Sequence, residues 1–190
     1  MRNYKLLYSI GDSISLGYLQ FLAIDLFDHY TVAHCPGCGT SDYVLEHLAA
    51  WLDGYELDVV LLNSGLHDIG RWPDELSVPL DRYEANLRRI VAHLQGLAGP
   101  PRLIWARTTP VIDERHQAVQ PFVRRNEDVI AANRVADAVM AEAGLESVDL
   151  YGVAVAHNLG EILIADGVHF TNDGYRLLAE AIAGSVSTRP

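Results

Sequence analysis

Residues 8–18, Tyr-Ser-Ile-Gly-Asp-Ser-Ile-Ser-Leu-Gly-Tyr, decide how this chain is read. The apolar stretch Leu6–Ile10 reads as a buried strand, and it stops at Gly11. A glycine, an aspartate and a serine then stand where that strand should end. Gly11-Asp12-Ser13 is either a strand-to-helix turn with Ser13 as a helix cap, or a turn that presents Ser13 as a nucleophile at the end of a sheet.

Working outward, strand-like and helix-like segments alternate. Apolar stretches at Leu6–Ile10, Tyr30–Ala33, Val59–Asn63, Leu103–Ala106 and Val148–Leu150 predict five strands of a parallel sheet. Tyr83, Leu87, Ile90, Val91 and Leu94 share one face at helical spacing, as do Tyr175, Leu178, Ala179 and Ile182. Thr171, Asn172 or Asp173 caps the last helix, while Gly96, Gly99 and Pro100-Pro101 stop the earlier one. Alternation of this kind predicts an α/β sandwich. Irregular segments are expected at Gly70–Leu80 and Thr108–Pro121. With no repeat or linker in the sequence, residues 1–190 read as a single domain.

Composition narrows the function. A chain of 190 residues, 49% hydrophobic and 21% charged, has the make-up of a folded globular protein. A chain this long buries about 70% of the surface exposed when unfolded. Its formal net charge of −11 argues against nucleic acid and anionic membrane as partners. The first residues are too short and polar for a secretory leader, and no apolar run approaches a membrane span, so a cytoplasmic protein is expected.

In open α/β sheets, ligands sit beyond the carboxyl ends of the strands. The loop before the final helix reads Asp166-Gly167-Val168-His169. An aspartate three residues ahead of a histidine can fold back onto the imidazole Nδ1, and the imidazole can then serve a serine as base. Ser13, His169 and Asp166 are therefore a candidate triad. Each also has an ordinary reading, as cap, as one of eight histidines, and as turn residue respectively.

These residues resemble the SGNH (GDSL-type) hydrolases. Gly11-Asp12-Ser13 is similar to that family's first block, with Ile14 where leucine often stands. Gly39-Thr40 resembles the second block, Gly65-Leu66-His67-Asp68 stands where the third block belongs, and Asp166 to His169 match the last. The resemblance implies a flavodoxin-like three-layer fold with five parallel strands, and esterase or lipase-type acyl hydrolysis of a small-molecule ester without metal or organic cofactor. It implies Ser13 as nucleophile, His169 as base, Asp166 as its orienting partner, and an oxyanion hole from the Ser13 and Gly39 N–H groups and a third-block side chain. At position 67 the family keeps asparagine, whereas this chain has His67. A neutral imidazole offers one N–H, so His67 is expected to donate in asparagine's place. Its alternative is a packing role beside Asp68.

Asp12, Trp72, Thr109 and Arg115 are expected to border the substrate cleft. Thr109 belongs to Thr108-Thr109-Pro110, which resembles the family's fourth block. Cys35 and Cys38 form a C-x-x-C pair, read as two reduced thiols in a tight turn rather than a redox dithiol or half of a zinc site. The expected function is hydrolysis of short-chain acyl esters, including O-acetyl groups on carbohydrates. The alternatives are a thioesterase or lysophospholipase, and a non-catalytic binding module of the same fold. No Gly-x-Ser-x-Gly elbow, phosphate-binding loop or His-Glu-x-x-His motif points elsewhere.

Overall fold

A computed structural model describes residues 4–187. Five strands, β1 (Lys5–Ile10), β2 (Tyr30–His34), β3 (Val59–Leu62), β4 (Arg102–Ala106) and β5 (Glu146–Val148), form one sheet in the order β2-β1-β3-β4-β5. Every pairing is parallel, with Leu7 opposite Val32 on one side of β1 and opposite Val59 on the other. All four residues of β3 are buried, as expected of a central strand covered on both faces.

The helices make the outer layers. Helix α1 (Ser13–Asp25) packs against α8 (Asn172–Ser187), which also touches α6 (Leu150–Val155). On the other side α2 (Ser41–Leu52), α3 (Leu80–Gln95) and α5 (Asn126–Glu142) lie in a row. Two short helices, α4 (Asp113–Val119) and α7 (Leu159–Ile162), sit in connections near the carboxyl ends of the strands. Between the layers, Leu7, Ile10, Leu61, Leu62, Ile104 and Trp105 are almost wholly buried. Each such side chain is worth about 1.5–3 kcal/mol over leaving it exposed.

Several boundaries differ from the sequence reading, two of them by a clear local cause. The fifth strand runs Glu146–Val148, sharing only Val148 with the expected Val148–Leu150, and ends there because the Asp149 carboxylate accepts from Gly152 N–H at 2.9 Å and caps α6. The segment 108–121 is not wholly irregular, since α4 occupies its middle and Asp113 and Glu114 lie in the first turn. At the last helix Thr171 is the cap, its Oγ1 accepting from Gly174 N–H at 3.2 Å. Among the described residues no helix is long and apolar enough to cross a membrane.

From β1 the chain goes to β2 on one side and then crosses to β3 on the other. The loops leaving β1 and β3 therefore diverge at the carboxyl edge, where a doubly wound sheet opens a crevice. Residues 11–13 and 63–68 stand at that opening.

Candidate active site

Asp12 precedes α1, and its Oδ1 accepts from Ile14 N–H at 2.9 Å. Capping starts the helix at Ser13 and leaves the Ser13 N–H without a backbone acceptor. The serine hydroxyl lies 2.8 Å from His169 Nε2. Across the ring, His169 Nδ1 lies 2.6 Å from Asp166 Oδ2. Carboxylate oxygens only accept, so Nδ1 carries the proton and Nε2 is left to accept from Ser13. The three side chains thus form one hydrogen-bonded line from serine to carboxylate.

The loop carrying the other two members is locally built. Asp166 Oδ1 accepts the N–H groups of Val168 and His169, both at 2.9 Å. Partial burial pushes the Asp166 carboxyl up, but these two N–H groups and the His169 ring together hold it below the usual carboxylate range. Gly167 has φ +70°, and a Cβ there would stand 2.5 Å from the Ile112 carbonyl oxygen. Ile112 N–H in turn donates to Gly167 O at 2.8 Å, bracing the loop from the start of α4. Only glycine satisfies both the backbone angle and the space.

Gly39 stands just ahead of α2, and a Cβ on it would meet the Tyr43 ring at 2.8 Å. Its N–H, like that of Ser13, donates to no backbone carbonyl among the described residues. The position of this loop depends on Asp68, to which the sequence reading assigns no role of its own. Asp68 Oδ1 accepts from Ser41 N–H at 2.8 Å and Ser41 Oγ at 2.5 Å, and Oδ2 accepts from Ser64 Oγ at 3.2 Å. Burial pushes the Asp68 carboxyl up to about 6, against the pull of those hydrogen bonds. The signal in the sequence is the position itself, an acid just past the end of an apolar strand, but its partner lies 27 residues away.

His67 is half-buried beside this group. Burial lowers its pKa, the charges of Arg124 and His169 lower it further, and Asp12 opposes them. The imidazole is therefore neutral at pH 7, with one N–H to offer.

The remaining expected residues are placed differently from one another. Trp72 is 56% exposed and stacks on Phe122, with ring centroids 5.2 Å apart. Asp12 is only 3% exposed, since its carboxylate is turned to the helix it caps. Thr109 is also buried, below the site, lining a small internal pocket with Ile14, Asn63 and Leu66. Arg115 is turned away from the cleft: its guanidinium donates to the carbonyls of Gly160 and Leu163, both at 3.0 Å, and so ties α4 to the end of α7. Cys35 is buried, its Sγ 3.0 Å from Gly37 O and 3.7 Å from Gly11 O, whereas Cys38 is exposed and the two are not joined. No cluster of three or more metal-ligating side chains occurs among the described residues.

One long-range junction could not be foreseen. Arg71 and Val123 exchange backbone hydrogen bonds at 2.8 and 3.3 Å, and the Arg71 guanidinium forks onto Asp128 at 2.7 and 2.6 Å. This zips the segment after β3 to the one after α4; Trp72, His116 and Arg124 meet on the Phe122 ring, and the Arg124 charge reaches His67.

Known proteins share this architecture. The model of the GDSL-like lipase/acylhydrolase family matches residues 9–177. A GDSL esterase/lipase of Arabidopsis thaliana, CPRD49, is 29% identical over 111 residues, which cover 55% of this chain and 43% of the relative. The chain thus matches less than half the length of that relative. A lipase/acylhydrolase from Enterococcus faecalis superposes with a TM-score of 0.81 at 22% identity, covering 96% of this chain and 95% of the other. An acetyl xylan esterase, AlAXEase, superposes with a TM-score of 0.79 at 19% identity, covering 95% and 99%. At these identities the two structures show a shared fold.

Proposed function

The chain belongs to the GDSL-like lipase/acylhydrolase family, and from that premise we propose that it is a serine esterase acting on short acyl esters. The observation that carries the reading is the line from Ser13 Oγ through the His169 ring to Asp166, at 2.8 and 2.6 Å. A hydroxyl bonded to an imidazole, itself held by a carboxylate, is an activated nucleophile in waiting.

In this reading Ser13 Oγ attacks the acyl carbon while His169 Nε2 takes its proton. Asp166 keeps Nδ1 protonated and stabilises the imidazolium that forms. The negative charge on the carbonyl oxygen is met by the N–H groups of Ser13 and Gly39 and by the N–H of neutral His67. Such donors, fixed before the reaction, are often the largest single contribution to rate. His169 then returns the proton to the leaving alcohol, the acyl group remains on Ser13, and water, deprotonated by the same imidazole, releases the acid.

The preference for short acyl groups is supported by taking Trp72, Phe122 and Arg124, an aromatic and basic cluster whose Arg124 charge reaches His67, as one wall of the crevice. Such a wall fits a polar or aromatic alcohol better than a long chain. Turnover of p-nitrophenyl esters of rising chain length tests this. Acetate and butyrate should be the best substrates. A maximum at octanoate or beyond overturns the short-chain reading, and a thioester hydrolysed far faster than any oxygen ester favours the thioesterase alternative. Inactivity on every ester and thioester leaves a binding module of this fold.

A further inference from the structure

Arg124 is 8% exposed, yet no carboxylate pairs with it among the described residues. Its Nε donates to Leu66 O at 2.6 Å, and its guanidinium carbon lies 4.9 Å from the centre of the Phe122 ring. No acceptor within the described residues takes a hydrogen bond from either Nη. A guanidinium stays charged at any pH at which the protein is folded, and a buried charge is ordinarily paired. Next to it stands a second unusual group. His116 is 1% exposed, rests edge-on against Phe122 at 5.1 Å, and neither of its ring nitrogens has a hydrogen-bond partner. The Asp166 backbone comes near that ring without reaching hydrogen-bond geometry.

A largely buried guanidinium with two unmet Nη groups, beside a catalytic line, points to a ligand group that meets them. We propose that Arg124, with the Phe122–Trp72 stack, forms a subsite for a carboxylate carried on the alcohol half of the ester. The proposal rests on the esterase reading and specifies its substrate class: acyl esters of hydroxy acids whose carboxylate reaches Arg124.

Several observations fix the details. The alcohol half is indicated because the leaving oxygen takes its proton from His169, and the backbone of α4, just before Arg124 in the chain, packs on the loop that carries His169: a Cβ on Gly167 would lie 3.2 Å from the backbone N of His116. With Nε bound to Leu66 O, the two Nη nitrogens remain as a parallel pair of donors, which matches the two oxygens of a carboxylate. The charge balance favours a monoanion. Burial lowers the pKa of both His116 and His67, and the Arg124 charge lowers each further, so both rings are neutral at pH 7 and Arg124 supplies one positive charge. The Asp12 and Asp166 carboxylates lie close enough to act on Arg124 and offset part of its charge, so a second negative charge on a ligand is poorly met. A phosphate monoester, with about −1.5 to −2 charges at pH 7, is matched less well there than a carboxylate. Trp72, exposed on one side and stacked on Phe122 on the other, offers a flat surface to the body of the alcohol.

The test uses matched pairs of acetyl esters that differ only in charge: ortho-, meta- and para-acetoxybenzoate, each against its benzamide. The Ser13→Ala protein, which holds ester without cleaving it, should bind the benzoate of at least one pair more tightly than its amide by on the order of 10- to 100-fold, the usual worth of hydrogen bonds to a charged group. That preference should vanish in Ser13→Ala/Arg124→Gln and survive in part in Ser13→Ala/Arg124→Lys. Turnover by the protein with Ser13 intact should show the same preference in kcat/KM. Equal binding of acid and amide in every pair overturns the subsite, whether or not the esters are hydrolysed. So does a preference that persists in the Arg124→Gln protein. Tighter binding of para-acetoxyphenyl phosphate than of any benzoate replaces the carboxylate assignment by phosphate. A benzoate preference in binding with no turnover of any ester supports the subsite and sinks the esterase reading instead. A loss of folding in Arg124→Gln, seen by circular dichroism, leaves the decision to Arg124→Lys and to the acid-to-amide ratio of the parent protein.

Discussion

Asp68 Oδ1 accepts both the N–H and the hydroxyl of Ser41, at 2.8 and 2.5 Å, and so fixes the start of α2 against the loop that leaves β3. Gly39 lies two residues before Ser41 and His67 one residue before Asp68. One carboxyl thereby sets the spacing between two groups assigned to the oxyanion hole.

Because burial raises the Asp68 carboxyl to about 6 from 3.8, the folded protein binds more protons than the unfolded chain between those values. This contribution to stability is full below pH 3.8 and is lost as pH rises through 6. Asp68→Asn keeps an acceptor for Ser41 and carries no titration. Urea unfolding from pH 4 to 7.5 should show wild type losing up to about 3 kcal/mol relative to Asp68→Asn, with a plateau above about pH 6.5. A difference that is flat, or that rises with pH, contradicts the burial argument.

Ser13→Ala should lower kcat by at least about 10³-fold while leaving the melting temperature near that of wild type, since the hydroxyl bonds only to His169. A fluorophosphonate probe should label wild type once, at Ser13, by peptide mapping. Label on another serine, or ordinary turnover by Ser13→Ala, removes the nucleophile assignment.

His67→Ala should reduce kcat by about 10²–10³, the common cost of one oxyanion donor, with a smaller change in KM. His67→Asn should recover part of the loss by restoring an amide donor. If His67→Ala turns over as wild type does, the hole works with the Ser13 and Gly39 N–H groups alone.

Replacing Cys35 and Cys38 together by serine should keep ester hydrolysis within about tenfold of wild type. A serine hydroxyl at position 35 can still donate to the Gly11 or Gly37 carbonyl, and neither thiol takes part in acyl transfer. A loss matching that of Ser13→Ala, or one equivalent of zinc by elemental analysis, shows that the pair has a role beyond the turn.

Much of the fold is legible in the sequence, because it is written in short-range pattern. Strand-length apolar runs predict five parallel strands, and five form, four with small shifts at their ends and the fifth displaced to Glu146–Val148. Asp166 and His169 can be read as a pair because three residues on one turn bring carboxylate and ring together. Ser13 can be nominated because a strand-end turn in this kind of sheet faces the crevice, although its partner ring lies 156 residues further along.

What the tertiary structure alone decided is which polar side chains are used where. Asp12, Thr109 and Arg115 all stand in connections leaving the carboxyl edge of the sheet, yet the first two are buried and Arg115, within α4, is bound to carbonyls. Arg124 and Arg125 are neighbours in sequence, but only Arg124 is buried, on Leu66 O 58 residues away. Capping and periodicity act within about four residues, so the sequence carries them openly. Burial and charge pairing depend on which distant segments meet, and those set the raised carboxyl of Asp68, the neutral ring of His67 and the unpaired charge of Arg124.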